Sequence, residues 1–152
     1  VVPSGEEKGL WGSDYFTRHP TVPLAQIVAD VNLDLIGRNW PDSVIAAGPE
    51  LSTLGATLAA TVAAHPELRM TPLADRWPEE RIFYRSDHYN FARRGVPVLF
   101  FTSGTHPDYH QPSDTGDRLD PEKAARLVRL LFHLTRAIAD DPARPRWTSR
   151  LE

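Results

Sequence analysis

An α/β sandwich, with helices flanking a mostly parallel, mixed central sheet, is the fold this sequence predicts. Three observations predict it. Short β-branched and aromatic runs alternate with segments of helical periodicity. The plainest of these runs is apolar at nearly every position, as expected of a strand covered on both faces. Polar clusters fall just past the ends of predicted strands, where open α/β sheets bind their ligands.

The bulk properties set the frame. A chain of 152 residues is long enough for one domain with a real core, here residues 1–150. Its 41% hydrophobic and 24% charged residues are ordinary for a globular protein and exclude wholesale disorder. A net charge of -3 with mixed signs offers no basic stripe, which argues against a nucleic-acid partner. No apolar run approaches the roughly 18 residues a membrane span needs. The absence of cysteine excludes disulfides and thiolate metal sites but fixes no compartment, so localisation stays unknown. Leu151-Glu152 reads as the remnant of a cloning junction before a purification tag and is set aside from the fold.

Taken in order, Val1 to Pro3 reads as the stub of a strand, and Gly9 to Arg18 as a short helix stopped by His19-Pro20. Ala25 to Leu33 is a nearly continuous apolar run and predicts a buried strand. Ser43 to Ala47 predicts another. Leu51, Leu54, Leu58 and Val62 recur at helical spacing in a segment that ends before His65-Pro66. Leu68 to Leu73, with Pro72 inside it, predicts a short edge strand. Ser86 to Arg94 reads as a helix with Ser86 as its N-cap and Gly95 as its stop. Val96 to Thr102 is the clearest strand. Pro121 opens a long helix with Leu127, Leu131, Leu134 and Ile138 on its apolar stripe; Arg126, Arg129, His133 and Arg136 form the opposite, wet face.

Three clusters could carry chemistry: Ser4-Gly5-Glu6-Glu7, Asn32-Leu33-Asp34 and Asp108-Tyr109-His110-Gln111. Two glutamates, an aspartate and a histidine are the hard-to-borderline ligands that suit zinc when sulfur is absent. If Glu6 and Glu7 are near-extended they point to opposite sides, so that one binds a metal while the other faces a water. The free carboxylate then takes the water's proton and hands it to the leaving amine. Each residue also has a plainer reading. The glutamates can complement a helix N-terminus, Asp34 can close a turn, and His110 can be an ordinary loop residue. Nothing in the sequence ties His19, His65, His106 or His133 to chemistry.

Five ordered motifs carry a resemblance: Ser4-Gly5-Glu6-Glu7-Lys8-Gly9-Leu10-Trp11-Gly12-Ser13, Asn32-Leu33-Asp34-Leu35-Ile36-Gly37-Arg38, Ser86-Asp87-His88 with Phe91, Gly95-Val96-Pro97, and Asp108 to Thr115. Together they resemble metallopeptidase family 28, the co-catalytic zinc aminopeptidases, whose relatives include glutamate carboxypeptidase and glutaminyl cyclase. The resemblance implies a zinc exopeptidase acting on peptides, with Glu6 as general base and Tyr109 steadying the oxyanion. It implies Glu7 and Asp34 as ligands of one zinc and His110 as a ligand of the other. Asp87 would line the substrate pocket, and Asp114 would support the loop or orient His110.

The family also uses a His and a bridging Asp from a segment ahead of the Glu-Glu pair, and this sequence has no such segment. On the resemblance, the chain is the C-terminal portion of a catalytic domain without its N-terminal strands. It is expected to bind zinc poorly, to lack activity alone, and to dimerise through an exposed sheet edge. Two other readings follow from the same resemblance. Glutaminyl cyclases usually place Trp where Tyr109 stands, and protease-like binding modules lose residues that are retained here. Export from the cytoplasm is an expectation from the resemblance alone.

Overall fold

In the computed structural model, which describes residues 1–150, four strands form one open sheet in the order β1-β4-β2-β3. They are β1 (Asp30–Leu33), β2 (Ser43–Ala47), β3 (Thr71–Leu73) and β4 (Val98–Thr102). β1 runs parallel to β4, β2 runs parallel to β3, and β2 and β4 are antiparallel, so the sheet is mixed. The helices are α1 (Trp11–Arg18), α2 (Leu54–Ala64), α3 (His88–Ala92) and α4 (Pro121–Asp140).

Strand alternation divides the core into two layers. Val44, Ala46, Leu99 and Phe101 point to one face, where Leu54 and Leu58 of α2 and Leu127, Leu130, Leu131 and Leu134 of α4 cover them. Ile45, Ala47 and Phe100 point to the other, against Ile82, Phe83 and Trp77. Toward α3, Val98 packs with Phe91 and Ala92 and with Phe16 of α1. Burial on both faces is why β4 is apolar along its whole length.

Helix limits follow local chemistry. Pro121 sits at the start of α4, and the Asp120 side chain caps it by accepting from the Lys123 backbone at 2.9 Å. α2 ends at His65, immediately before Pro66. Pro72 is tolerated in β3 because that strand lies at the sheet's edge.

Four expectations are corrected. Val1 to Pro3 forms no strand; both valines are exposed, and three residues that include a proline have no neighbouring strand to pair with. Of the run from Ala25 to Leu33 only the last four residues are strand, since Leu24–Gln26 close a 3-10 turn after Pro23. Ser86 does not cap α3: Asp87 takes that position without a side-chain bond to the helix, and the Ser86 hydroxyl is engaged elsewhere. Arg126 is not on a wet face. Its guanidinium is nearly buried and donates to Asp42 and to the carbonyls of Pro41, Leu68 and Arg69, which pins α4 to two turns. Leu151-Glu152 lies outside the described residues.

Candidate active site

Glu6 and Glu7 lie in a 3-10 turn, Glu6–Lys8, entered through Gly5 in the left-handed region (φ 71°). The turn corrects the extended geometry expected for this pair: its neighbouring side chains diverge by about a third of a revolution instead of alternating across a strand. α1 holds the turn in place. A Cβ on Gly12 would stand 2.4 Å from the Ser4 carbonyl oxygen, so only glycine lets the helix approach this closely.

Asp34 follows β1 directly, and its backbone N–H extends the ladder to the Phe101 carbonyl at 3.1 Å. Tyr109 and His110 stand in the loop after β4, their rings stacked with centroids 4.0 Å apart. Because β1 and β4 are parallel neighbours, both loops leave from the same end of the sheet. Glu6, Glu7, Asp34, Tyr109 and His110 all line one cavity of about 330 Å³, whose apolar wall includes Leu35, Ile82 and Phe100. A second, larger hollow of about 820 Å³ runs along the outer edge of β1; Glu6, Glu7 and Asp34 line it too, joined by Asp30 and Asp87.

The Nε2 of His110 stands 3.1 Å from Oε1 of Glu7. Asp34 is turned elsewhere: its Oδ2 accepts from the Ser86 hydroxyl at 2.9 Å, and Ser86 in turn accepts from the Asn32 amide at 2.9 Å. Asn32 also approaches Nδ1 of His88, a buried ring stacked on Phe100. The grouping therefore differs from the one the resemblance implies, since it is His110 and not Asp34 that meets Glu7. Asn32 and Ser86 escaped the reading of single residues. The signal for Asn32 was its place two positions before Asp34, on the same face of the strand.

Asp87 lines the larger hollow with its Oδ1 unpartnered, and burial, followed by the nearby Asp34 charge, raises its pKa against a lowering bond with Ser13. Asp114 lies outside both cavities. It accepts from Arg38, so it supports the loop and makes no contact with His110. Asp108 accepts from Ser113, Arg38 and Arg118, which hold its carboxyl down at about 2.

Glu6 is displaced most usefully. Burial first, then the charges of Asp34, Glu7 and Asp87, push its carboxyl up to about 7, with His110 opposing. Burial also raises the Tyr109 hydroxyl, so that it stays protonated and able to donate near neutral pH.

Whether these groups suit zinc is answered by their chemistry and spacing. Oxygen and nitrogen donors without sulfur fit the ion. Glu7 and His110 meet at 3.1 Å, a direct polar contact that brings one oxygen and one nitrogen donor together in the cavity. Among the described residues no three His, Cys, Asp or Glu side chains close around a single point.

A search of the curated proteins returns no match. Among solved structures, an aminopeptidase from Aneurinibacillus sp. strain AM-1 is similar at 22% identity and a TM-score of 0.67, over 99% of this chain and 35% of that one. The zinc aminopeptidase BSAP from Bacillus subtilis is similar at 18% identity and a TM-score of 0.71, over 88% of this chain and 34% of that one. The LapA aminopeptidase of Legionella pneumophila matches at 20% identity and a TM-score of 0.70, over 93% of this chain and 38% of that one. The chain thus spans little more than a third of their length, and at these identities the likeness is one of fold. The model of peptidase family M28 matches residues 1–135, and the chain belongs to that family.

Proposed function

We propose that the chain is the C-terminal part of the catalytic domain of a zinc-dependent exopeptidase, one that releases residues from the amino ends of peptides. The observation that carries this reading is the convergence of Glu6, Glu7, Asp34, Tyr109 and His110 on one cavity at the shared end of β1 and β4. Glu7 and His110 would hold one zinc together, because their side chains already meet in the cavity. Asp34, steadied by Ser86, would serve the second ion. Bound zinc would supply Lewis acidity, acidifying a water and polarising the scissile carbonyl.

The chain's own residues account for the rest. Glu6, whose carboxyl lines the cavity beside Glu7 and Asp34, takes a proton from the attacking water and returns it to the leaving amine. The Tyr109 hydroxyl, kept protonated, donates to the oxygen on which negative charge develops. Asp87, which lines the larger hollow with Glu6 and Asp34, would face the ammonium of a substrate's amino end.

With three ligands for two ions, the chain alone is expected to bind zinc weakly and to hydrolyse nothing measurable. Calorimetric titration tests this, and tight binding of two zinc ions per chain would refute it. In an enzyme carrying the whole domain, Glu6→Gln should lower kcat on aminoacyl anilides by about 10²–10⁴-fold while leaving zinc content unchanged. Retained turnover would remove Glu6 from the chemistry.

A further inference from the structure

Asp34 and His110 stand on separate loops, and the distance between those loops decides whether they can share a site. The loop after β1 is folded back on itself by left-handed residues at Leu35 (φ 56°), Gly37 (φ 89°) and Asn39 (φ 56°). His110 is itself left-handed, at φ 57°. A side chain beyond glycine disfavours that conformation, so it persists only where the surroundings impose it.

Arg38 supplies the constraint. Its Nη1 donates to Asp114 and its Nη2 to Asp108, so one guanidinium spans carboxylates on both sides of Tyr109-His110. The arginine is fixed in turn. Its backbone N–H donates to the Ser103 hydroxyl at 3.2 Å, and its carbonyl accepts from Nζ of Lys123, a fully buried lysine in the first turn of α4. The Asn39 amide ties the same two loops through the carbonyls of Ser103, at 2.7 Å, and Thr105, at 3.0 Å. Only 12% of the Arg38 side chain is exposed, so water competes little for these bonds.

We infer that Arg38 is a positioning residue for His110: by bridging Asp108 and Asp114 it holds the loop in the left-handed turn that sets the imidazole against Glu7. Only the role of His110 as a ligand rests on the peptidase reading. The planar fork is essential, because a lysine reaches one carboxylate where the guanidinium reaches two.

The test compares Arg38→Met, Arg38→Lys and Asp114→Asn with Arg144→Met, an arginine whose guanidinium donates to the Ala25 and Ile27 carbonyls on the segment ahead of β1. Amide exchange at Tyr109, His110 and Gln111, together with the ring contact between His110 and Tyr109, reads the loop without any metal. In both Arg38 variants exchange should quicken by ~10-fold or more as the loop opens locally, and the ring contact should weaken. The zinc affinity of the chain should fall by a further ~10–100-fold, the usual scale for losing the support of a ligand. Arg144→Met should leave these readings alone.

Asp114→Asn keeps the guanidinium and one carboxylate. It should give the same change at smaller size, and it decides the matter if the Arg38 variants do not fold. Folded Arg38 variants with unaltered exchange and ring contact would overturn the inference. Peptide hydrolysis enters none of these readings. An enzyme with the whole domain that cleaves no peptide bond would sink the peptidase reading and leave this inference standing.

Discussion

At the scale of single residues, burial of ionisable groups marks where the chain gives up stability. Asp30 is the clearest case. Burial raises its carboxyl to about 7 from an ordinary value of 3.8, and its Oδ2 finds no partner. The folded state therefore holds a proton that the unfolded state releases, and the stability this lends is complete below about pH 4 and lost as pH rises through 7. Asp30→Asn should abolish that loss between about pH 4 and 7. By pH 9 the variant should be more stable than the parent by ~1 kcal/mol or more, each pKa unit being worth about 1.4 kcal/mol. Urea titrations at pH 5 and pH 9 check this, and parallel pH profiles for the two proteins would refute it. Residue-level chemistry was partly legible in the sequence. The five residues that meet in the smaller cavity were singled out by type and motif. Ser86 was read as a helix cap and Asn32 was named in a cluster without a role of its own, because a hydrogen bond between segments far apart in sequence leaves no local periodicity behind.

Elements were read well where their chemistry is local and poorly where it depends on neighbours. β2 and the start of α4 were found as they stand, since β-branched residues and a proline after an aspartate act within a few positions. Lys123 shows the other case. It lies four residues before Leu127, on the apolar stripe, and is fully buried; the heptad position was visible, but its acceptors, the Arg38 carbonyl and the Ser103 hydroxyl, were not. Arg126 was placed in water for the same reason. α1 offers a test of how an element positions the site. Gly12→Ala would set a methyl against the Ser4 backbone, at a cost of about 1–3 kcal/mol from overpacking, and would push the Glu6–Lys8 turn off its seat. Thermal unfolding measures the first effect. The second should appear as loss of the Glu7 to His110 contact in NMR spectra, and a variant as stable as the parent would show that the helix is free to shift.

For the whole molecule, the sheet's two edges differ. β3 is short and carries a proline, a protected edge. The outer edge of β1 pairs with no strand among the described residues and borders the larger hollow, where Val22 and Leu33 are partly exposed. This relocates the open edge, which the sequence placed beside Val1. The chain is expected to associate through it, giving a dimer whose population grows with concentration in light scattering. A clean monomer at high concentration would count against this. No helix among the described residues is long and apolar enough to cross a membrane.

The pairing of β1 with β4 also has a kinetic consequence. β2 and β3 are joined by a single helical crossover, whereas Asp30 finds Val98 only after the widest gap in sequence that the sheet closes. Closing a long loop costs chain entropy before any contact repays it, so the β2-α2-β3 unit should gain amide protection early during refolding and β1 late. Asp34 and His110 hang from the ends of that last-formed pair. The reactive corner should therefore be the final part of the chain to acquire shape, and pulse-labelled exchange during refolding can time it.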